Sequence, residues 1–152
     1  MNSHHTVAIG TWEGDKQQSI EYNSSIAVGI DCPRAKLRVS ILLDTIQEYQ
    51  VRYIFSDEEI SEAVNEAGLI IGARGIAYEG VLQRKPVIVV GEYGFGGLVT
   101  PDTLHEQYNN YFRGKINGIK AEYFSLERLE EEIRRGFALT FQELQMMSNQ
   151  TI

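Results

Sequence analysis

Short apolar runs alternate with helical patterns along this chain. The runs lack polar alternation, and two of them open straight into glycine-rich stretches. Together these observations predict an α/β fold: a Rossmann-like, doubly wound, mainly parallel sheet with helices on both faces. At 152 residues and 43% hydrophobic content, the chain can bury one core, so residues 1–152 are read as a single domain.

The elements follow in order. Thr6 to Gly10 reads as a short buried strand closing on glycine, and residues 11–34 are largely polar. Ser25 to Ile30 reads as a second strand. From Ala35 to Tyr49, Leu37, Ile41, Leu42, Thr45 and Ile46 recur at helical spacing. Val51 to Phe55 is the next strand. Ser56 then caps a helix, with Glu59 completing a capping box. Ile60, Val64 and Ala67 form that helix's apolar stripe, and Gly68 ends it. Leu69 to Ile71 is a strand, Arg74 to Gln83 a helix, and Pro86 to Val90 a strand. Pro101 opens a helix running to about Tyr111. A charged helix from Leu126 toward the carboxyl terminus turns Leu129 and Ile133 inward.

Charge excludes some partners. A net charge of −7 and a pI near 5.0 argue against nucleic acid or an anionic membrane, since both require a basic face. The single cysteine, Cys32, forms no internal disulfide, which fits a reducing cytoplasm. No apolar run approaches the ~18 residues of a membrane span, and the amino terminus lacks a signal-peptide pattern. His4 and His5 read as part of a frayed end, not a metal site. No cofactor or metal is expected.

The chemistry concentrates between Ile70 and Pro101. In α/β sheets, ligands bind at the carboxyl ends of strands. Glycine there admits positive φ and lets a ligand approach the backbone closely. After the strand at Leu69, Gly72-Ala73-Arg74-Gly75 leads directly into a helix. The first turn of a helix offers unpaired N–H groups and a positive dipole end, suited to phosphate. Arg74 opposes that dipole, which suggests a functional purpose for it. Glu79 lies one turn beyond Gly75 on the same face, a rise of ~5.4 Å. That step resembles the distance from a diphosphate to a ribose, and a carboxylate accepts two hydrogen bonds from a diol. The plainer alternative is a solvated glutamate after an ordinary turn. No Walker motif and no Gly-x-Gly-x-x-Gly follows the first strand.

Four segments in order extend this reading: Gly72-Ala73-Arg74-Gly75, Ala77-Tyr78-Glu79-Gly80, Lys85-Pro86-Val87-Ile88, and Gly94-Phe95-Gly96-Gly97-Leu98-Val99-Thr100-Pro101. With Asn109 to Lys115 after them, the region from Ala67 to Gly114 resembles the donor-binding half of GT-B glycosyltransferases of the retaining, hexosyl-transferring group. The resemblance implies a nucleotide-diphospho-sugar site. It assigns Glu79 to the ribose, and Arg74, Gly75 and Ile76 to the diphosphate, with Gly72 of the same loop among the substrate-binding residues. It puts Phe55 and Ser56 near the base, and the loop bearing Gly94, Gly96 and Gly97 beside the cleft. Two departures stand out. Ile71 occupies the position of the family's first paired glutamate, and Gly-Ala-Arg-Gly replaces Gly-x-Gly-Arg.

A GT-B enzyme reacts in the cleft between two such domains, and this chain has room for one. Its catalytic residues are therefore unassigned, and His105 reads as a surface helix residue. A second domain or subunit is the implied partner. The leading expectation is donor binding for glycosyl transfer. The alternatives are a non-catalytic interaction or nucleotide-binding module, or a sugar-nucleotide epimerase or hydrolase. Tyr93, Phe95, Tyr108, Tyr111 and Phe112 would mark a sugar or partner surface if exposed.

Overall fold

The computed structural model describes residues 4–13, 16–115 and 118–151. Strands β1 (His4–Glu13) and β2 (Lys16–Asn23) pair antiparallel as a sheet of their own. The expected strand at Thr6–Gly10 thus lies inside the longer β1, in a sheet apart from the main one. His4 and His5 belong to β1, not to a frayed end. The main sheet holds β3 (Ile26–Gly29), β4 (Val51–Tyr53), β5 (Leu69–Gly72), β6 (Val87–Gly91) and β7 (Gly94–Leu98), in the order β4-β3-β5-β6-β7. The first four run parallel, and β7 runs antiparallel to β6. This is a five-stranded, mostly parallel sheet in an α/β fold of the Rossmann-like kind.

The central parallel strands β3, β5 and β6 carry no polar side chain, and their residues divide between two core clusters. Ile26, Val28, Leu69, Ile71, Ile88 and Val90 join one core cluster with Val39 and Leu43 of α1 (Pro33–Ile46) and Leu129 and Ile133 of α5 (Leu126–Phe137). Their alternates Ala27, Ile70, Val87 and Val89 join a second. It includes Val64 of α2 (Ile60–Glu66), Ile76, Ala77 and Val81 of α3 (Gly75–Leu82), Leu104 of α4 (Leu104–Asn109) and Met147 of α6 (Phe141–Thr151). The period of two along each strand produces this division.

Several elements differ from the sequence reading. The glycine-rich run after β6 is a strand, not a loop. Glu92 and Tyr93 form a tight turn, Gly91 faces Gly94, and a register irregularity sits at Val89/Val90. Gly97 has φ +79°, a conformation that favours glycine, so this irregular strand needs its glycines. On α1, Ala35, Val39, Leu42 and Leu43 face inward, while Leu37 and Ile41 are half or more exposed. The expected apolar stripe was rotated because Val39 and Leu43 were left out of it.

Ser56 and Glu59 lie 3.4 Å apart side chain to side chain, but Ser56 caps no amide, and the helix starts through a tight turn at Asp57–Glu59. A reciprocal capping box forms instead at α6. There the Thr140 amide donates to Glu143 Oε1 at 2.9 Å, and the Glu143 amide donates to Thr140 Oγ1 at 3.1 Å. This box splits the expected single carboxyl-terminal helix into α5 and α6. Thr100 and Thr103 exchange hydrogen bonds that delay α4 to Leu104.

Candidate functional site

The chain runs β3, then β4 on one side, then β5 on the other. The connection that leaves β3 therefore goes one way and the one that leaves β5 goes the other, and a crevice opens between the carboxyl ends of β3 and β5. It encloses about 530 Å³. Ile54, Phe55 and Ser56 enter it from the end of β4, and Gly29 and Asp31 from β3. Ala73, Arg74, Gly75, Ile76 and Glu79 enter from β5 and α3, and Tyr111 from the end of α4. Of the residues singled out in the sequence, Phe55, Ser56, Arg74, Gly75, Ile76 and Glu79 thus line one cavity.

Arg74 sits at the sharp turn between β5 and α3, at φ 57° and ψ −125°. That backbone conformation is strained for a residue with a Cβ, and such strain gathers at ligand sites. Two contacts fix it: the Arg74 amide donates to the Phe112 carbonyl at 3.1 Å, and the Arg74 carbonyl accepts from the Tyr78 amide at 2.9 Å. The neighbouring Phe112 and Tyr111 also hold positive φ, 55° each. Helix α3 begins at Gly75, so its first-turn amides face the crevice.

The glycines of this region differ in what they need. A Cβ on Gly72 would collide with the Gly29 carbonyl and approach Ile76 Cγ2 to 2.6 Å, so β3 and β5 pack together only with glycine there. Gly72 is buried below the crevice and does not line it. A Cβ on Gly75 would meet only Ile60 Cδ1, at 3.8 Å. Packing does not demand glycine at 75, whereas an approaching ligand would.

Glu79 is half-buried in the crevice wall. Gln83 donates to its Oε2 at 2.8 Å, and Gln83 also donates to the Ser61 carbonyl at 3.1 Å. The carboxylate is thereby held on the α2–α3 side. Phe55 is 75% exposed, its ring beneath Lys36 Nζ at 4.2 Å. A flat apolar face left open at the rim of a crevice is suited to stacking.

Arg74 also carries the strongest electrostatics. Its guanidinium donates to Glu92 Oε1 at 2.5 Å. Arg113 Nε lies 3.4 Å from the same oxygen, without hydrogen-bond geometry, and is itself buried. Arg113 reaches the Tyr93 hydroxyl at 3.2 Å through its other arm. The Arg74 hydrogen bond, with the charges of both arginines, holds Glu92 below the usual carboxylate range. The same bond and charge raise Arg74.

Gly94, Gly96 and Gly97 stand apart from this crevice. Gly94 lines a separate hollow beyond Glu92. Gly96 packs on Gln107 and Val89, and Gly97 on Glu132. Of the aromatics, Phe112 and Phe95 are core, the latter stacked on Phe124 at 4.7 Å. Tyr93, Tyr108 and Tyr111 are partly exposed, and Tyr78 lies 6.0 Å from Tyr111. Asp31 and Asp57 escaped the sequence reading as site residues, whereas Tyr111, singled out there among the aromatics, does line the crevice. Asp31 follows the end of an apolar strand, which was its available signal.

Other crevices have less to recommend them. One of about 730 Å³ lies at the amino ends of β3 and β4, lined by Ser25, Arg52 and Glu66. That is the wrong end of a parallel sheet for a ligand. Another, about 550 Å³, lies between α1 and α5 among Glu48, Glu127, Glu130 and Glu131. Among the described residues no group of three or more His, Cys, Asp or Glu is arranged to hold a metal, and no helix is long and apolar enough to cross a membrane. Comparison with protein-family models, with curated proteins and with solved structures finds no match to this chain.

Proposed function

We propose that this chain binds a nucleotide-diphospho-sugar donor for glycosyl transfer in the cytoplasm, with the acceptor domain supplied by another domain or subunit. The sheet is read as doubly wound, α1 and α5 over one face and α2, α3 and α6 over the other. One observation carries the reading: Phe55, Ser56, Arg74, Gly75 and Glu79 converge on one crevice at the point where the sheet changes direction. In this reading the diphosphate meets the first turn of α3 and Arg74, the ribose diol meets Glu79, and the base lies against Phe55. The spare room at Gly75 and the strain at Arg74 both support a backbone shaped for a ligand.

A double-mutant cycle tests this reading, pairing Glu79→Gln with a ribonucleoside diphosphate and its dideoxy counterpart in calorimetry. The substitution removes a charge and an acceptor. Affinity for the ribonucleotide should fall roughly ten- to a hundredfold, about 1.4–2.8 kcal/mol, and affinity for the dideoxy ligand should barely change. A coupling energy of zero removes Glu79 from the site and favours a non-catalytic interaction module.

A further inference from the structure

The turn joining β6 to β7 carries one acid, and that acid reaches across to the crevice. Glu92 Oε1 receives Arg74 at 2.5 Å and faces Arg113 Nε at 3.4 Å. One carboxylate oxygen is thus shared by two guanidiniums from distant parts of the chain. The Arg113 Nε is buried and makes no hydrogen bond. The glutamate thus satisfies this pair incompletely. The next charge is Asp31, which adds a weaker attraction on Arg74.

Position matters as much as charge. Asp31, Ala73 and Arg74 line both the main crevice and a neighbouring hollow of about 300 Å³, whose far wall is Gly91 and Glu92. The Arg74–Glu92 pair therefore stands where the two cavities meet. Both side chains are nearly half exposed, at 47% and 43%. An ion pair so open to water contributes little, so an incoming anion can break it at little cost. The backbone beneath is less yielding. The Arg74 amide donates to the Phe112 carbonyl, and the Tyr93 amide donates to the Arg113 carbonyl at 2.9 Å. The backbones that carry both arginines are thus tied down by hydrogen bonds.

We propose that the Glu92 carboxylate is an internal occupant of an anion site formed by Arg74 and Arg113, and that a diphosphate binds by displacing it. Glu92 is then an autoinhibitory contact. It keeps the two arginines paired in the empty protein and sets a threshold that a monoanion meets poorly and a diphosphate meets well. A diphosphate presents several oxygens, so it engages both guanidiniums, whereas Glu92 hydrogen-bonds only one. Displaced, Glu92 projects into the neighbouring hollow, beside whatever the diphosphate carries. The proposal rests on the donor-site reading for the identity of the incoming anion.

The test uses the full chain and inorganic pyrophosphate, measured by calorimetry at constant ionic strength. Glu92→Gln removes the competing charge from an exposed turn, and pyrophosphate affinity should rise roughly three- to tenfold. Arg74→Gln added to Glu92→Gln should abolish that gain. Affinity that is unchanged or weakened in Glu92→Gln, or no binding by parent and variant alike, overturns the proposal. A second measurement needs no variant: the Glu92 side-chain carbonyl resonance of the parent should move to a free-carboxylate position at saturating pyrophosphate. An unmoved resonance also overturns it. The two readings fail separately. If Glu92→Gln tightens pyrophosphate while the Glu79 cycle shows no coupling, the displacement stands and the donor site falls. The reverse pattern removes the displacement and keeps the donor site.

Discussion

Glu132 of α5, with only 3% of its side chain exposed, accepts a hydrogen bond from the Leu98 amide of β7 at 3.3 Å. Its other oxygen receives Arg135 at 2.6 Å, and Arg128 lies 3.6 Å away. This buried acid ties the helix to the irregular end of the antiparallel strand. Glu132→Ala should therefore cost about 1–3 kcal/mol, the penalty for an unsatisfied buried amide. Glu132→Gln retains an acceptor and should cost less. Denaturant unfolding of the two variants checks the order, and equal losses would show that the ion pairs with Arg128 and Arg135 dominate.

The glycines flanking Arg74 should behave oppositely. Gly72→Ala forces a Cβ against the Gly29 carbonyl and Ile76, and should destabilise the fold by about 1–3 kcal/mol. Gly75→Ala makes only an ordinary contact with Ile60 and should leave stability unchanged or raise it by roughly 0.5–1 kcal/mol. Gly75→Val should keep the fold while abolishing binding of a nucleoside diphosphate. Undiminished binding by Gly75→Val would move the phosphate site elsewhere.

The Arg74–Glu92 pair should leave a mark on acid stability. Glu92 is held below the usual 4.5 of a glutamate, first by the Arg74 hydrogen bond. A carboxyl with a lowered folded value stabilises the protein above its unfolded value. That contribution is lost as pH falls through the folded value. Arg74, Arg113 and Asp31 are the charges around this pair. The stability difference between the parent and Glu92→Gln should thus be present at pH 7 and vanish at strongly acid pH. A difference that persists unchanged in acid would show that the carboxylate's charge is not its source.

Incubated alone with a donor and an acceptor, the chain should give no transfer, or only slow hydrolysis of the donor. His105, its nearest approach to a general base in the sequence reading, is exposed on α4 and does not line the crevice. Transfer at a rate proportional to the concentration of this chain, with no partner added, would refute the need for a second domain.

The sequence by itself determined the middle of this protein. Leu69–Gly72, Gly75–Leu82 and Val87–Gly91 announce themselves because uninterrupted apolar runs suit strands covered on both sides, and glycine suits the turn between them. Gly75 and Glu79 were legible as neighbours because helical periodicity alone brings them together. Only the tertiary structure decided the rest. Gly94–Leu98 has the glycine content of a loop, yet pairing with β6 makes it a strand, since cross-strand partners outweigh weak intrinsic preference. Strand order, and hence the crevice at β3 and β5, depends on which side each connection crosses, and no local pattern encodes that. Arg74 and Glu92 lie 18 residues apart and Arg113 farther still, and they meet only because the β6–β7 turn folds back to the carboxyl end of β5.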